Sequence, residues 1–191
     1  MKVFDKICVF TGSSIGARED FKLAARSLGQ RLVQENIGLV YGGGSIGLMG
    51  AIADAVIEER GRVFGVIPQM LATREVVHPS LTELTVVSSM HARKQTMADM
   101  ADAFIAMPGG FGTFDELFEV LTWAQLGVHR KPIGLLNVAG YFDGLVSMVE
   151  HAIAEGFVPK SHRDLFVIST SPSVLLAQMR AHESPVLHAC L

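Results

Sequence analysis

The feature that most constrains the fold is a series of short, continuous apolar runs separated by longer segments with helical spacing. The runs cover residues 6–10, 37–41, 62–67, 84–87, 103–107, 132–136 and 165–168. Strands that are covered on both faces of a parallel sheet show this continuous apolar character. The first intervening segment places five apolar residues on one helical stripe: Phe21, Ala24, Ala25, Leu28 and Leu32. The alternation predicts an α/β fold, a parallel sheet with right-handed crossovers and helices on both faces.

The composition is that of an ordinary globular protein. The 191 residues are 49% hydrophobic and 18% charged, and the formal net charge is -3. A chain of this length can bury a substantial core, and we expect one domain over residues 1–181 with a C-terminal tail over 182–191. Because the sequence has no basic excess, we expect no nucleic acid partner.

No run of about 18 apolar residues is present, so we expect no membrane partner. Only two cysteines occur, Cys8 and Cys190, which gives no support for a disulfide framework. We therefore expect a cytoplasmic protein. The seven histidines show neither an i, i+4 pair nor a Cys/His cluster with metal-ligand spacing, so the sequence predicts no metal site.

Glycine-rich segments follow three of the predicted strands, and ligands of open α/β sheets bind outside the carboxyl ends of the strands. The first segment, "TGSSIG" at 11–16, offers the hydroxyl groups of Ser13 and Ser14. It can be a turn with a helix cap or a ligand contact, and we carry Ser14 as a candidate substrate contact.

The second segment, "YGGGSIGLMG" at 41–50, contains G-x-G-x-x-G, a pattern found in dinucleotide-binding proteins. It follows the second strand rather than the first, and the third strand ends in "VIPQM" without the acidic residue that would bind an adenosine ribose. Close packing of a helix on the sheet explains some of these glycines. For Gly43 and Gly44 we favour contact with an anion or a ribose.

The third segment, "PGGFGTFDE" at 108–116, has two interpretations. Thr113 and Glu116 form T-x-x-E, which predicts a capping box at a helix start. A capping box does not require the glycines that precede it: Gly109, Gly110 and Gly112. Those glycines remove side chains from the place where the free N–H groups and the positive dipole end of the helix point, which favours a phosphate site.

The segment 89–102 predicts a helix with Met90, Met97 and Ala101 on its apolar stripe. Arg93 and Lys94 occupy the turn of the stripe that should pack inward. An unpaired buried charge is strongly unfavourable, so either the long stems reach back to water or the two cations bind an anion. Because the pair accompanies glycine-rich strand exits, we favour an anion.

Two of these segments carry a family resemblance. "PGGFGTFDE" fits the signature P-G-G-x-G-T-x-x-E, and "SMHARK" fits M-H-x-R-K. These two signatures are those of the LOG family, the cytokinin riboside 5′-monophosphate phosphoribohydrolases. The chain resembles this family over nearly its whole length. The resemblance implies a Rossmann-like, doubly wound α/β domain that usually forms a homodimer. It implies hydrolysis of the N-glycosidic bond of N6-modified adenosine 5′-monophosphates, which releases the free base and ribose 5-phosphate without a cofactor or metal.

Carried over by position, the resemblance implies that Arg93 and Glu116 are the catalytic pair. It also implies a larger set of substrate contacts: Glu75, Lys94, Gly110, Phe111, Gly112, Thr113, Phe114, Asp115 and Thr122. Two of these have a plain structural alternative. Glu75 lies in the irregular segment 68–83 and can be a solvated loop acid, and Thr122 can be a helix residue whose hydroxyl bonds one turn back.

Breaking a ribosyl C–N bond builds positive charge on the sugar, so we expect the Glu116 carboxylate to stabilise the transition state and to orient or deprotonate water. We expect Arg93 to fix Glu116 or the ribose phosphate, and its charge to keep the carboxylate ionised. Two rivals remain. A molybdenum cofactor carrier of the same fold would need phosphate ligands but not the acid, and a nicotinamide oxidoreductase would need the missing acid after the third strand. A lysine decarboxylase is excluded by its chemistry, because that reaction uses pyridoxal phosphate or a comparable electron sink and no feature of the sequence indicates such a site.

Overall fold

Strands and helices alternate along the chain in the computed structural model, which describes residues 2–72, 77–183 and 185. The strands are β1 Lys6–Phe10, β2 Gly38–Tyr41, β3 Val63–Pro68, β4 Glu83–Val87, β5 Ala103–Ala106, β6 Ile133–Leu136 and β7 Val167–Ser169. The helices are α1 Glu19–Gln34, α2 Gly47–Glu58, α3 Gln69–Ala72, α4 Met90–Met100, α5 Phe111–Gln125, α6 Asp143–Ala154 and α7 Pro172–Ala181, with 3-10 turns at Val138–Gly140 and Lys160–Leu165. Each apolar run singled out in the sequence contains or overlaps one strand.

All seven strands pair in parallel in the order β4-β3-β2-β1-β5-β6-β7. The predicted doubly wound parallel sheet is therefore confirmed. The chain proceeds outward from β1 to β4 on one side and from β5 to β7 on the other, so the strand order reverses between β1 and β5. In sheets of this type the ligand site lies at this reversal, outside the carboxyl ends of the strands.

The core forms two layers, one on each face of the sheet. Helices α1, α2 and α7 cover one face, where Leu28, Ile52 and Leu175 are fully buried. Helices α4, α5 and α6 cover the other face, where Met97 and Leu117 pack against the sheet. Burial on both faces is the physical reason for the continuous apolar runs.

The helix predicted over 89–102 is confirmed with slightly shorter bounds. Ser89 caps α4, since its hydroxyl accepts a hydrogen bond from the N–H of Ala92 at 3.1 Å. Ala101 already has an extended backbone, and its side chain is buried as the stripe predicted.

The capping box predicted at Thr113 and Glu116 is wrong. Helix α5 begins at Phe111, and the N-cap is Gly110, so no side chain caps the helix. Thr113 is the third residue of the helix and only 3% exposed. A Cβ atom on Gly109 would lie 2.1 Å from the Oγ1 atom of Thr113. The Thr113 side chain therefore packs against the backbone of Gly109 and does not cap the helix. The first N–H groups of α5 are thus not satisfied by a cap.

The irregular segment between β3 and β4 contains the short helix α3 and an isolated antiparallel bridge between Gly44 and Val77. Residues 73–76, with the predicted contact Glu75, lie outside the described residues. Helix α7 ends at Ala181, at the predicted start of the C-terminal tail, most of which also lies outside them. No helix within the described part of the chain combines the length and apolar character of a membrane span.

Candidate active site

A cavity of about 220 Å³ opens at the carboxyl ends of β1, β2 and β5, beside the reversal of strand order. All three glycine-rich segments and helix α4 contribute to its wall. The predicted site residues that line it are Arg93, Gly110, Phe111, Gly112, Thr113 and Glu116. The fold thus brings the two proposed catalytic residues and the start of α5 to one cavity, although Arg93 and Glu116 belong to different helices.

Arg93 points inward as predicted, and its side chain is held by backbone carbonyl groups. The residue is 6% exposed. Its Nε atom donates to the carbonyl oxygen of Val66 at 3.1 Å, and its Nη2 atom donates to that of Gly42 at 2.8 Å. A Cβ atom on Gly42 would lie 2.0 Å from Nη2, so a larger residue at position 42 would displace the guanidinium from this place. Two carbonyls therefore fix the guanidinium plane beside the cavity.

Lys94 has partners inside the chain, which corrects the expectation that both cations await an anion. Its Nζ atom lies 3.0 Å from a carboxylate oxygen of Asp115 and 3.0 Å from one of Glu119. Burial opposes the charged form, but the hydrogen bonds to Glu119 and Asp115 outweigh it and raise the pKa of Lys94. The lysine thus ties α4 to α5, and its direct contact with substrate stays a prediction.

Glu116 is the titratable carboxyl group of the cavity, and burial raises its pKa from 4.5 to about 7. The positive charges of Arg93 and Lys94 act in the opposite direction but do not outweigh the loss of water around the carboxylate. Arg93 therefore favours the ionised carboxylate, as expected, but it does not hold the pKa of Glu116 at its ordinary value. A carboxyl group that titrates near neutral pH can both donate and accept a proton, which suits general acid–base catalysis.

The start of α5 presents free N–H groups next to Glu116. The first N–H groups of a helix have no partner inside it and form a positive end that favours anions. A Cβ atom on Gly110 or Gly112 would meet nothing within 4 Å, so the packing of the chain does not require glycine at either position. Phe111, between them, is 93% exposed. This bare backbone favours the close approach of a ligand.

The glycines of the second segment have structural roles. Gly43 has φ of 82°, a backbone conformation that favours glycine, and Gly44 forms the bridge with Val77. A Cβ atom on Gly47 would lie 2.2 Å from the carbonyl carbon of Ser13, so the start of α2 packs directly on the β1 exit. Gly43 and Gly44 are not among the described residues that line the cavity, and their contact with substrate stays a prediction.

The remaining predicted contacts lie around the cavity rather than on its wall. Ser14 and Gly109 line a neighbouring cavity of about 300 Å³. The ring of Phe114 stacks on Tyr141 with 6.4 Å between centroids. Asp115 is exposed and bonded to Lys94.

Thr122 is exposed, and its hydroxyl donates to the carbonyl oxygen of Phe118 at 2.7 Å. This is the local bond that the sequence offered as the alternative to substrate contact.

Two residues of this region were not singled out from the sequence. Glu119 binds Lys94, and its spacing of four residues from Asp115 could have indicated a shared helix face. Tyr141 donates a hydrogen bond from its hydroxyl to the carbonyl oxygen of Gly109. No local pattern indicates that bond, because 32 residues separate its partners.

Comparison with known proteins identifies the family of the chain. The sequence model of a family described as "Possible lysine decarboxylase" matches residues 49–179. A probable cytokinin riboside 5′-monophosphate phosphoribohydrolase of Oryza sativa subsp. japonica is 50% identical over 94% of this chain and 79% of its own length. A cytokinin riboside 5′-monophosphate phosphoribohydrolase of Arabidopsis thaliana is 51% identical over 92% of this chain and 83% of its own length.

Solved structures give the same fold at lower identity. The molybdenum cofactor carrier protein from Chlamydomonas reinhardtii superposes with a TM-score of 0.69 at 20% identity, over 92% of this chain and 96% of its own. The molybdenum cofactor binding protein from Rippkaea orientalis gives 0.70 at 23% identity, over 92% and 95%. At this identity the likeness shows the fold alone. The extent and identity of the sequence matches show that the chain belongs to the LOG family of cytokinin riboside 5′-monophosphate phosphoribohydrolases.

Proposed function

We propose that this protein hydrolyses the N-glycosidic bond of adenosine 5′-monophosphates, in particular N6-modified ones, and releases the free base and ribose 5-phosphate. The observation that carries the proposal is a carboxyl group with a pKa of about 7, Glu116, in the same cavity as the free N-terminus of α5. An anion site and a titratable acid side by side fit a substrate that bears a phosphate and a bond to be hydrolysed. The relatives that are about half identical carry this activity in their names.

In the proposed reaction the bond between C1′ of the ribose and the base nitrogen breaks, and water supplies the hydroxyl for C1′ and the proton for the base. The N-terminus of α5 binds the 5′-phosphate and so fixes the ribose against Glu116, a use of remote binding energy. The Glu116 carboxylate stabilises the positive charge that develops on the ribose and takes a proton from the attacking water. Arg93, held by its two carbonyl partners, supplies a fixed positive charge beside the substrate.

The decarboxylase description fits the site less well. Decarboxylation of an amino acid on pyridoxal phosphate requires a lysine that forms a Schiff base through its neutral amine. Lys94 is bonded to two carboxylates that raise its pKa, which favours the charged ammonium. We therefore propose hydrolysis rather than decarboxylation.

The second candidate function is that of a non-hydrolytic carrier, since two solved structures of this fold are named as molybdenum cofactor proteins. Such a protein would need ligands for a phosphate but no buried acid next to them. Desolvation makes the ionised form of Glu116 costly for the folded state, and a perturbed acid of this kind is typical of a catalytic site, so it favours the enzyme.

We further propose that the protein is a cytoplasmic homodimer, as expected from the resemblance and the sequence. Phe118, Thr122 and Leu126 follow one another at intervals of four residues along α5 and its C-cap, and all three are exposed. A partner subunit seated on this stripe would cover the apolar side chains. It would also explain how Thr122 could contact a substrate although it does not line the cavity of its own chain.

The test is to incubate the purified protein with AMP, with isopentenyl-AMP and with the corresponding nucleosides, and to measure the free base by chromatography. We expect release from the nucleotides and little from the nucleosides, because only the nucleotides carry the phosphate. Release from nucleosides with nucleotides inert would contradict the phosphate site, and no release from any of the four would contradict the enzyme. The Glu116→Gln variant, run in parallel, controls for contaminating hydrolases.

A further inference from the structure

We propose that Tyr141 is a positioning residue for the anion site: its hydroxyl fixes the peptide group between Gly109 and Gly110 so that the Gly110 N–H faces the cavity of Glu116. The inference rests on the proposed function only for the identity of the anion, a phosphate monoester. It assigns a role to a side chain that lies outside the catalytic cavity and outside the two signature segments.

The first observation is the bond itself. The Tyr141 hydroxyl donates to the carbonyl oxygen of Gly109, the residue directly before the N-cap of α5. The aromatic ring is fixed by three others. Phe21 and Phe142 meet it edge-on at centroid distances of 5.8 and 5.2 Å, and Phe114 stacks on it at 6.4 Å. A ring held on three sides gives its hydroxyl a defined position.

The second observation is the backbone that delivers Tyr141 to this place. The chain leaves β6 through a 3-10 turn in which Ala139 has φ of 52°, an uncommon conformation for a residue with a side chain. The side chain of Asn137 holds the turn, since its amide donates to Asp143 at 2.7 Å and its oxygen accepts from the N–H of Phe142 at 2.7 Å. Such strain persists where the surrounding structure imposes it and is concentrated at functional sites.

The third step is peptide geometry. The described chain has no cis peptide bond, and in a trans peptide the C=O and the following N–H point in opposite directions. Tyr141 lines the neighbouring cavity of about 300 Å³, whereas Gly110 lines both that cavity and the one that contains Glu116. When the carbonyl of Gly109 turns toward Tyr141, the N–H of Gly110 therefore turns away from it, toward Glu116.

The N-cap N–H is thereby added to the free N–H groups of the first turn of α5. Without the hydroxyl, the peptide between two glycines can rotate, because neither residue has a Cβ atom that would restrict it. Rotation of this peptide would weaken the binding of ligands that carry a phosphate. A nucleoside, which lacks that group, does not use this N–H.

The test compares Tyr141→Phe with Tyr41→Phe, since the chain contains only these two tyrosines. Each variant loses one hydroxyl and keeps its ring, and the Tyr41 hydroxyl is buried without a hydrogen-bond partner among the described residues. Calorimetry gives the Kd of ribose 5-phosphate, steady-state kinetics give kcat and KM for AMP, and a thermal melt gives Tm. We expect Tyr141→Phe to raise the Kd of ribose 5-phosphate and the KM for AMP about three- to tenfold, the loss of one hydrogen bond, with little change in kcat. We expect Tyr41→Phe to match the wild type in Kd, KM and kcat.

Several results would overturn the inference. One is an unchanged Kd for ribose 5-phosphate in Tyr141→Phe, and another is a wild type that does not bind ribose 5-phosphate. A third is a parallel loss of activity toward AMP and adenosine together with a lower Tm, which would indicate a purely structural role. Weaker binding in Tyr141→Phe, with no base released by any form of the protein, would support the inference and contradict the proposed function.

Discussion

At Glu116, burial and charge act in opposite directions on one carboxyl group. Burial raises the pKa, and the guanidinium of Arg93 lowers it, with a net value of about 7. The sequence allowed the charge effect to be predicted but not the larger burial effect, because the cavity walls come from strands and helices that are distant along the chain. In the same way the inward direction of Arg93 followed from helical spacing, whereas its bonds to Val66 and Gly42 span 27 and 51 residues.

The first prediction concerns the role of Glu116. Replacing it by glutamine keeps the shape of the side chain but removes the acid, so we expect turnover of AMP to fall about 10²- to 10⁴-fold, the usual contribution of a general base. Far-UV circular dichroism and a thermal melt should show an intact fold. Near-full turnover by Glu116→Gln would contradict the catalytic assignment.

The second prediction is a pH dependence of stability. The folded state raises the pKa of Glu116 from 4.5 to about 7, so between these values the folded state binds more protons than the unfolded state. The contribution of this group to the free energy of unfolding is therefore full below about pH 4.5 and is lost as the pH rises to about 7, by about 3 kcal/mol at most. Urea denaturation of wild type and Glu116→Gln across this range measures it. Equal pH slopes for the two proteins would contradict the raised pKa.

The same titration bears on activity. If the Glu116 carboxylate is the base, kcat/KM should rise as the pH increases toward about 7 and level off above it. The second ionisation of a phosphate monoester lies near 6, so a limb centred there would report the substrate instead.

At the scale of elements, the strands could be predicted and the start of α5 could not. Runs such as 103–107 are apolar because both faces of the strand are buried, a property that neighbouring residues share and that the sequence displays directly. The capping box predicted for the start of α5 was wrong because T-x-x-E is a local motif, whereas the position of Thr113 is decided by its packing against Gly109. Bare glycine at the N-cap is also a weaker signal than a capping side chain.

The third prediction tests whether the glycines of α5 serve the ligand. Gly112 and Gly144 are each the second residue of a helix, and a Cβ atom on either would meet nothing within 4 Å. Alanine at both positions should raise the free energy of unfolding by up to about 1 kcal/mol through helix propensity. Only Gly112→Ala should raise the KM for AMP, because its methyl group lies at the cavity wall. Equal KM values for the two variants would remove the ligand explanation for Gly112.

At the scale of the whole molecule, the sheet order explains why distant segments meet. The reversal between β1 and β5 leaves a gap between the loops that follow these strands, and the predicted anion loop and the first glycine segment flank it. The alternation of strands and helices predicted a parallel sheet, but the order of its strands depends on long-range pairing. Likewise, the apolar residues of α5 that are exposed, and that we propose as a dimer interface, can be identified only from the surface of the folded chain.

The fourth prediction concerns the homodimer. Light scattering coupled to size-exclusion chromatography should give twice the mass of one chain for the wild type. Phe118→Lys with Leu126→Lys places two charges on the exposed stripe of α5 and should give a monomer, because like charges would face the partner. Val174→Lys, at another exposed apolar position, is the control and should stay dimeric. A dimer that survives the double substitution would place the interface elsewhere.

The contact between Arg93 and Gly42 also constrains how sequences of this fold can diverge. A side chain at position 42 would collide with the guanidinium where it now lies, so we expect the glycine to be retained wherever the arginine keeps this position. Relatives that have lost the arginine should be free to accept alanine or serine at position 42, whereas relatives that keep it should not. Covariation of these two positions, 51 residues apart, would then separate sequences that keep this arrangement of the arginine from sequences that have kept only the fold.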